Sequence, residues 1–209
     1  MVIAFLNQKG GTGKTTLSIN IAHSLVLKNN RVLLVDADPQ GSARDWAAAR
    51  KEEPLFSVIG IDRPVIHKEL PAIAGNYDYV IIDGPPRVSD VARSAIMASV
   101  LIVIPVQPSP YDVWAAEEIV SLVKEASLFK ENLKSVFAVN RKIANTVIGR
   151  DVQEALAQYE IQTLDTAIAQ RVIFAETAAS GSTVMETEPN GAASKEVQSL
   201  TQEILEVLS

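Results

Sequence analysis

The sequence contains no cysteine in its 209 residues. That absence excludes a disulfide scaffold, thiolate zinc sites, iron–sulfur clusters and cysteine nucleophiles. The chain begins MVIAFLNQKGG, without a basic segment that leads into a long apolar run, so we expect neither a signal peptide nor a membrane-spanning segment. These absences favour a soluble cytoplasmic protein.

The composition also lacks the biases of fibrous and disordered chains. Hydrophobic residues make up 47% and charged residues 21% of the sequence, with ten glycines and ten prolines, which is the ordinary range of globular proteins. No repeat and no linker-like segment interrupts the chain. We therefore expect residues 1–209 to form a single domain with its own core.

Strand and helix patterns alternate along the whole chain. The strands include unbroken apolar runs such as VLLVD, YVIID and VLIVIP, which are typical of parallel strands covered on both faces. The predicted strands are Val2–Asn7, Arg31–Asp36, Leu55–Gly60, Tyr79–Asp83, Val100–Pro105, Ser135–Asn140 and, more weakly, Ile161–Asp165. The predicted helices are Lys14–Lys28, Ser42–Lys51, Pro64–Ala74, Ser89–Met97, Val113–Leu128, Val147–Tyr159 and Ala192–Leu208, with Asp112 as a cap. This order predicts an α/β fold, a doubly wound and mostly parallel sheet with helices on both faces.

Charge is unevenly distributed along the chain. The net charge of −6 divides into +2 for residues 1–150 and −8 for residues 151–209. A local excess of positive charge lies between residues 124 and 150, at Lys124, Lys130, Lys134, Arg141, Lys142 and Arg150. Such a run indicates either a nucleic-acid contact or a solvated helix face, and the sequence alone leaves both open.

A phosphate-binding loop follows the first predicted strand. Its residues are Lys9, Gly10, Gly11, Thr12, Gly13, Lys14, Thr15 and Thr16. Glycines let successive backbone N–H groups turn toward a polyphosphate, and the start of the next helix adds a favourable dipole. Lys14 can reach the β- and γ-phosphate oxygens, and the Thr15 hydroxyl can hold Mg²⁺. The strand–loop–helix setting therefore predicts nucleotide binding.

The loop departs from the usual spacing because Gln8 stands where its first glycine is expected, beside a second lysine, Lys9. This arrangement resembles the deviant Walker A motif, K-G-G-x-G-K-T, of the ParA/MinD family of P-loop ATPases. The resemblance implies that Lys9 reaches into the nucleotide site of a partner subunit when two monomers enclose ATP. A lysine so placed would supply positive charge to the phosphates only in the dimer.

Two further motifs carry the resemblance. Residues 35–41, VDADPQG, are similar to the family's switch I motif, which implies that Asp38 orients the attacking water and that Asp36 lies near Mg²⁺. Residues 79–86, YVIIDGPP, are similar to Walker B. By resemblance, Asp83 then contacts Mg²⁺, through water, and Gly84 allows a close backbone approach to the γ-phosphate.

Other segments carry weaker assignments. Asn140 and Arg141 follow a strand where the family places a base-contacting residue, although an Asn-containing turn fits the same residues. Residues 104–112, IPVQPSPYD, are similar to the proline-rich motif of small plasmid-partition ATPases. The three prolines make a stiff loop, suited to a dimer contact, a nucleotide lid or a plain rigid turn.

The resemblance as a whole implies a ParA-type partition or positioning ATPase without an N-terminal helix-turn-helix domain. The expected ligands are ATP, ADP and Mg²⁺. The expected partners are a second copy of the chain, nonspecific DNA and an adaptor of the ParB or ParG type, or a cargo-linked equivalent, with no membrane. The protein would be cytoplasmic and nucleoid-associated, with DNA contacts from Lys124, Lys130, Lys134, Arg150 and Arg171.

Two other functions share these motifs. A MinD-like membrane-cycling ATPase would carry basic residues on its C-terminal helix, whereas residues 198–208 contain acids and no base. A small-molecule P-loop kinase or synthetase would turn over a substrate without dimerising.

Overall fold

The structure, a computed structural model, describes residues 1–87, 89–143 and 148–209. Seven parallel strands form one sheet in the order β3-β2-β4-β1-β5-β6-β7. They are β1 Val2–Phe5, β2 Val32–Asp36, β3 Ser57–Gly60, β4 Tyr79–Asp83, β5 Leu101–Val106, β6 Lys134–Val139 and β7 Gln162–Thr163. The predicted α/β fold is confirmed.

Helices cover both faces of this sheet. They are α1 Lys14–Leu27, α2 Ser42–Ala49, α3 Ile66–Ala74, α4 Asp90–Ala98, α5 Pro110–Ser127, α6 Ile148–Ala157, α7 Ile173–Ala179, α8 Val184–Thr187 and α9 Ala192–Leu208. One core contains the buried residues of α3, α4, α5 and α6, and the other contains those of α1, α2, α8 and α9. Because both faces are covered, the central strands are apolar throughout and their polar residues come at the carboxyl ends.

The strand order places several of these polar ends together. Asp36 and Asp83 are register partners on β2 and β4, and Phe5 pairs with Asp83 across β1 and β4. The loop after β1 therefore lies beside two aspartates. Ligands of doubly wound folds bind at this carboxyl edge of the sheet.

Three helix predictions need correction. Helix α5 begins at Pro110 with Ser109 as N-cap, so Asp112 lies inside the first turn and does not cap the helix. Helix α3 begins at Ile66, two residues after the predicted start. Helices α7 and α8 were not predicted, because seven and four residues are too few for a readable helical period.

Helix α9 uses its apolar side for the core. Val197, Leu200 and Ile204 are fully buried, and Leu205 and Leu208 pack partly buried against the same cluster. Among the described helices, none is both long and apolar enough to cross a bilayer.

Candidate nucleotide site

The phosphate loop connects β1 to α1 at the carboxyl edge of the sheet. Gly13 precedes α1 with φ of 93°, in the left-handed region that favours glycine. A Cβ atom at this position would lie 2.0 Å from Nδ2 of Asn140. Glycine is therefore required at residue 13 both by the backbone conformation and by the close approach of the residue that follows β6.

Side chains from the neighbouring strand ends hold the loop in shape. Asn140 Nδ2 donates to the Thr12 carbonyl at 2.7 Å, and Gln107 Nε2 donates to the Gly11 carbonyl at 2.9 Å. At Gly10 and Gly11, a Cβ atom would have no heavy atom of the described residues within 4 Å, apart from its chain neighbours. The loop is thus supported by its carbonyls and open on its glycine side, as a phosphate cradle must be.

Asn7 adds a further support, between the loop and β5. Its side chain accepts a bond from the Lys9 N–H at 3.0 Å and donates to the Pro105 carbonyl at 2.7 Å. Asn7 is buried, and sequence reasoning did not single it out. Its position, two residues after β1 and two residues before Lys9, was the available signal.

Lys14 and Asp83 lie at the centre of the site. Lys14 is largely buried, and burial lowers the pKa of its ammonium. The negative charges of Asp83 and Asp38 act in the opposite direction and raise this pKa. Asp83 is fully buried, and burial raises the pKa of its carboxyl to about 7, while the neighbouring Thr15 hydroxyl and Lys14 act in the opposite direction.

Both carboxylate oxygens of Asp83 are without a hydrogen-bond partner among the described residues. Buried polar atoms in native proteins almost always have a partner. An orphaned carboxylate beside the Thr15 hydroxyl fits a hydrated divalent cation, because Mg²⁺ prefers oxygen ligands and retains several waters. The residues present therefore fit the predicted Mg²⁺ site.

Asp36 is held by backbone N–H groups at the end of β2, and its place near Mg²⁺ stays a prediction. Its Oδ2 accepts bonds from the backbone N–H groups of Ala43 and Arg44, at 3.1 and 3.0 Å, and its Oδ1 accepts from the Asp38 N–H at 3.1 Å. Arg44 Nε also lies 3.4 Å from Oδ2. Both oxygens are thus used to fix the turn into α2, so Asp36 shapes the switch loop.

Asp38 lies half-buried in that loop. Its Oδ1 accepts the Gln40 N–H at 2.9 Å, and its carbonyl accepts from Arg44 at 3.2 Å. The negative charge of Asp38 acts to raise the pKa of Lys14, against the effect of burial. Asp38 therefore lies near the phosphate-binding lysine. This geometry is compatible with orienting a water at the end of the phosphate chain.

Gly84 is required for packing. A Cβ atom there would lie 2.1 Å from Cδ2 of Leu6 and 2.8 Å from the Phe5 carbonyl oxygen. Gly84 therefore packs closely against Phe5 and Leu6 at the end of β1. Its predicted approach to a γ-phosphate stays a prediction.

A cavity of about 820 Å³ continues from the phosphate loop past the end of β6. Asn140 and Arg141 lie on one side of it and Arg171 and Phe174 on the other, with Thr16 at the phosphate end. Its volume falls in the range of small-molecule sites. The cavity is the natural place for a nucleoside, and the predicted base-contacting residues line it.

Two carboxylates of α9 hold the segment between β7 and α7, and Ala169 and Arg171 of this segment line the cavity. Glu196 accepts from the Ala169 N–H at 3.0 Å and from Arg171 at 2.6 Å. Glu203 accepts from the N–H groups of Asp165 and Thr166, at 2.7 and 2.9 Å, and from the Thr166 hydroxyl. The acidic side of α9 thus fixes the segment that follows β7.

The predicted basic cluster is split between the two edges of the sheet. Lys124, at the end of α5, and Lys134, at the start of β6, lie at the amino edge, whereas Arg141 and Arg171 lie at the carboxyl edge beside the nucleotide site. The side chain of Arg150 lies outside the described residues. A single surface formed by the described members of the predicted set is therefore wrong for one protomer.

The amino-edge lysines also make structural bonds. Lys130 Nζ donates to the carbonyls of Met97 and Ser99, at 2.7 and 2.5 Å, and thereby caps the end of α4. Lys134 Nζ donates to the Val207 carbonyl at 2.6 Å, near the end of α9. Their ammonium groups stabilise two helix ends, a role that local charge counting does not reveal.

Lys9 lies at the rim of the site and is directed away from it. Its Nζ is 2.6 Å from Oδ2 of Asp112, in the first turn of α5. The charge of Lys9 is therefore paired with Asp112 of α5, whereas Lys14 lies within the phosphate loop.

Residues 3–184 match the model of a family described as the CobQ/CobB/MinD/ParA nucleotide binding domain. The chain is 28% identical over 207 residues to the maintenance of carboxysome distribution protein A of Halothiobacillus neapolitanus, covering 97% of this chain and 95% of that protein. It is 28% identical to the sporulation initiation inhibitor protein Soj of Bacillus subtilis, with 97% of each covered. Among solved structures, cobyrinic acid a,c-diamide synthase from Mycobacterium smegmatis, with a bound ATP analog and magnesium, has a TM-score of 0.81 at 21% identity, covering 98% of this chain and 93% of that one.

Proposed function

Since this chain belongs to the CobQ/CobB/MinD/ParA family of nucleotide-binding domains, we propose that it is a ParA-type ATPase that forms an ATP-dependent dimer, binds DNA and positions a cargo. It is an ATPase that uses ATP and Mg²⁺. Residues 1–209 act as one ATPase domain in this proposal, in keeping with the single sheet. The cargo is a plasmid, a chromosome or a protein assembly such as the carboxysome named for one relative.

Residues on this chain divide the work of hydrolysis. The loop from Gly10 to Gly13 binds the phosphates through its N–H groups, and Lys14 neutralises the β- and γ-phosphate oxygens. Thr15 and Asp83 would hold Mg²⁺, which would supply positive charge to the phosphates. Asp38 orients the attacking water, and Asp36 keeps the switch loop in place for it.

The position of Lys9 carries the proposal of a dimer. Its ammonium pairs with Asp112 at the rim, and its side chain is 38% exposed beside the loop. In a two-fold dimer that faces the carboxyl edges of two sheets toward each other, each Lys9 enters the partner's phosphate site. Hydrolysis then needs both copies, because the second positive charge is supplied only by the partner.

The dimer geometry favours one set of DNA contacts over the other. If the carboxyl edges meet, the amino-edge residues Lys124, Lys130 and Lys134 lie at the two far ends of the dimer. Arg171 and the exposed Lys142 lie near the junction, where two copies double the charge on one face. We therefore place the DNA contacts at Lys142 and Arg171. DNA contacts at the amino edge are the alternative that the next experiment distinguishes.

DNA binding is tested by fluorescence anisotropy of a labelled random-sequence duplex. We expect binding with ATP and Mg²⁺ but not with ADP, and a logarithmic salt slope of roughly −0.9 per phosphate neutralised. Lys142→Glu should weaken binding strongly, whereas the matched Lys124→Glu at the opposite edge should not. The reverse order would place the DNA surface at the amino edge, and wild-type protein that ignores DNA with every nucleotide would refute DNA binding altogether.

Release of the dimer is assigned to an adaptor of the ParB or ParG type, or a cargo-linked equivalent, that stimulates hydrolysis. The protein would then alternate between a nucleoid-bound dimer and a free protomer. The two relatives, named for carboxysome distribution and for sporulation control, support a role in which the same ATPase cycle serves different cargoes.

A further inference from the structure

Arg44, in the first turn of α2, directs its guanidinium back to the switch loop. Its Nη2 donates to the Asp38 carbonyl at 3.2 Å, and its Nε lies 3.4 Å from Oδ2 of Asp36. Nη2 also lies 3.6 Å from Oδ2 of Asp62, two residues after β3. A guanidinium can contact several partners at once because its donors form a rigid planar fork. One side chain thus joins the switch loop to the ends of β2 and β3.

Two glycines leave room for this side chain. A Cβ atom at Gly60, the last residue of β3, would lie 3.0 Å from Cδ and Nη1 of Arg44, and one at Gly41 would lie 3.1 Å from its Nη2. Gly41 also has φ of 72°, in the left-handed region that favours glycine. The arginine therefore packs closely against the backbone of both glycines, which restricts where its guanidinium can lie.

Arg44 also balances the charge of Asp36. Asp36 is fully buried, and Arg44 is the one cation paired with it among the described residues. Asp36 in addition accepts the backbone N–H groups of Asp38, Ala43 and Arg44, which a substitution of the arginine side chain would leave in place. The turn into α2 therefore keeps most of its hydrogen bonds without the guanidinium.

The peptide of Asp38 is the part of the switch loop that the guanidinium reaches. The Asp38 carbonyl accepts the Gly41 N–H at 2.9 Å from within the loop, and Arg44 Nη2 from outside it. The Asp38 carboxyl accepts the Gln40 N–H instead, so Arg44 acts on the main chain. The hydrogen bonds of the Arg44 side chain go to Asp36 and Asp38, and none goes to the phosphate loop among the described residues.

The proposed function assigns Asp38 to the attacking water, and the present inference rests on that assignment. We propose that Arg44 is a positioning residue for ATP hydrolysis, which holds the Asp38 peptide against the ends of β2 and β3. The carboxyl of Asp38 then stays in the place where it orients the water. Because Arg44 acts through Asp38, its loss slows hydrolysis and leaves ATP binding intact.

The test compares Arg44→Met with the wild type in single-turnover hydrolysis at saturating ATP and Mg²⁺. Methionine keeps much of the apolar stem and removes the charge and the donors. We expect a rate constant about 10- to 100-fold lower, because a small misplacement at a reacting centre can cost about 10²-fold. The dissociation constant for ATP should be unchanged. A variant that is folded by circular dichroism and hydrolyses at the wild-type rate would overturn the role.

A double-mutant cycle with Asp38→Ala separates positioning from a general loss of structure. If Arg44 acts through Asp38, Arg44→Met should slow the Asp38→Ala variant no further. An equal slowing in both backgrounds would overturn the inference. Asp38→Ala that hydrolyses as fast as the wild type would refute the water-orienting role and this inference together. Slow Asp38→Ala beside a wild-type rate for Arg44→Met would refute the inference alone.

Arg44→Lys separates the charge of the arginine from its fork. A lysine ammonium can neutralise Asp36, but it lacks the planar fork that contacts Asp36 and the Asp38 carbonyl together. We expect Arg44→Lys to resist urea better than Arg44→Met and still to hydrolyse slowly. Hydrolysis by Arg44→Lys at the wild-type rate would overturn the link through the Asp38 carbonyl.

The matched control is Arg63→Met. Arg63 follows β3 and forms an exposed ion pair with Glu69, with atoms 3.2 Å apart. Its replacement removes an arginine of the same region without touching the switch loop. This variant should keep the wild-type rate constant and the wild-type affinity for ATP.

Discussion

Three aspartates at the carboxyl edge show how one residue type acquires different roles. Asp36 accepts bonds from backbone N–H groups at both oxygens, Asp38 is half-buried in the switch loop, and the oxygens of Asp83 are buried without a hydrogen-bond partner among the described residues. The motifs predict that carboxylates gather here. They do not predict which aspartate accepts the backbone hydrogen bonds of the turn. The donors, Ala43 and Arg44, come seven and eight residues after Asp36 and reach it only in the folded loop.

Asp38→Ala should bind ATP and dimerise but hydrolyse slowly. Loss of a group that orients the attacking water costs on the order of 10²–10⁴ in rate. Single-turnover phosphate release measures the step, and Asp45→Ala, an exposed aspartate of α2, is the control with near-normal turnover. Equal turnover of Asp38→Ala and wild type would move the water-orienting role to another group.

Asp83 should make the stability of the nucleotide-free chain depend on pH. Burial raises its pKa from 3.8 to about 7, so the folded chain holds this proton more tightly than the unfolded chain. Between these values the folded state binds more protons, and the free energy of unfolding contributed by Asp83 therefore falls as pH rises.

Asp83→Asn removes that contribution, so the free energy of unfolding of the variant should fall less than that of the wild type as pH rises from about 4 to about 7. Mg²⁺ and ATP should also raise the melting temperature of the wild type but not that of the variant. Urea unfolding across the pH range checks the first part. The exposed Asp165→Asn should follow the wild type. A wild-type profile retained in Asp83→Asn would contradict the buried, unpaired state of the carboxyl.

At the scale of elements, apolar runs predict the central strands, because a strand covered on both faces must be apolar along its length. The edge strand β7, Gln162–Thr163, is polar and partly exposed, which is why its prediction is weak. The alternating order then predicts the layers. The sequence does not reveal where α5 begins, since Pro110 and Val113 are both acceptable early helical positions. The choice depends on Ser109 as N-cap and on Asp112 turning inward to meet Lys9.

Helix ends also receive support from distant residues. Lys130 donates to the carbonyls that end α4, and burial lowers the pKa of its ammonium. Lys130→Met should reduce the free energy of unfolding by about 1–3 kcal/mol, the usual cost of leaving such groups unsatisfied. Urea denaturation measures the change.

Lys124→Met is the comparison for that variant. Lys124 makes an exposed pair with Glu160 at 3.6 Å, and such pairs contribute about 0–1 kcal/mol. If Lys130→Met destabilised the chain no more than Lys124→Met, Lys130 would be a surface charge rather than a helix cap.

At the scale of the whole molecule, the predicted basic cluster fails as a single surface. Residues 124–150 are contiguous in sequence, but a parallel strand runs through them and carries its two ends to opposite edges of the sheet. Charge patterning along a sequence therefore finds a basic region without finding a basic face. The predicted residues of the nucleotide site do lie together, because they follow strand ends that meet at one edge of the sheet.

The whole-molecule account depends on two copies that exchange Lys9. Multi-angle light scattering of the 22.5 kDa chain with Mg²⁺ and either ATP or ADP tests it most directly, with Lys9→Ala measured beside the wild type. The account predicts a dimer mass for the wild type with ATP, a monomer mass with ADP, and a monomer mass for Lys9→Ala with ATP although that variant still binds the nucleotide. A Lys9→Ala variant that dimerises with ATP as fully as the wild type would contradict it.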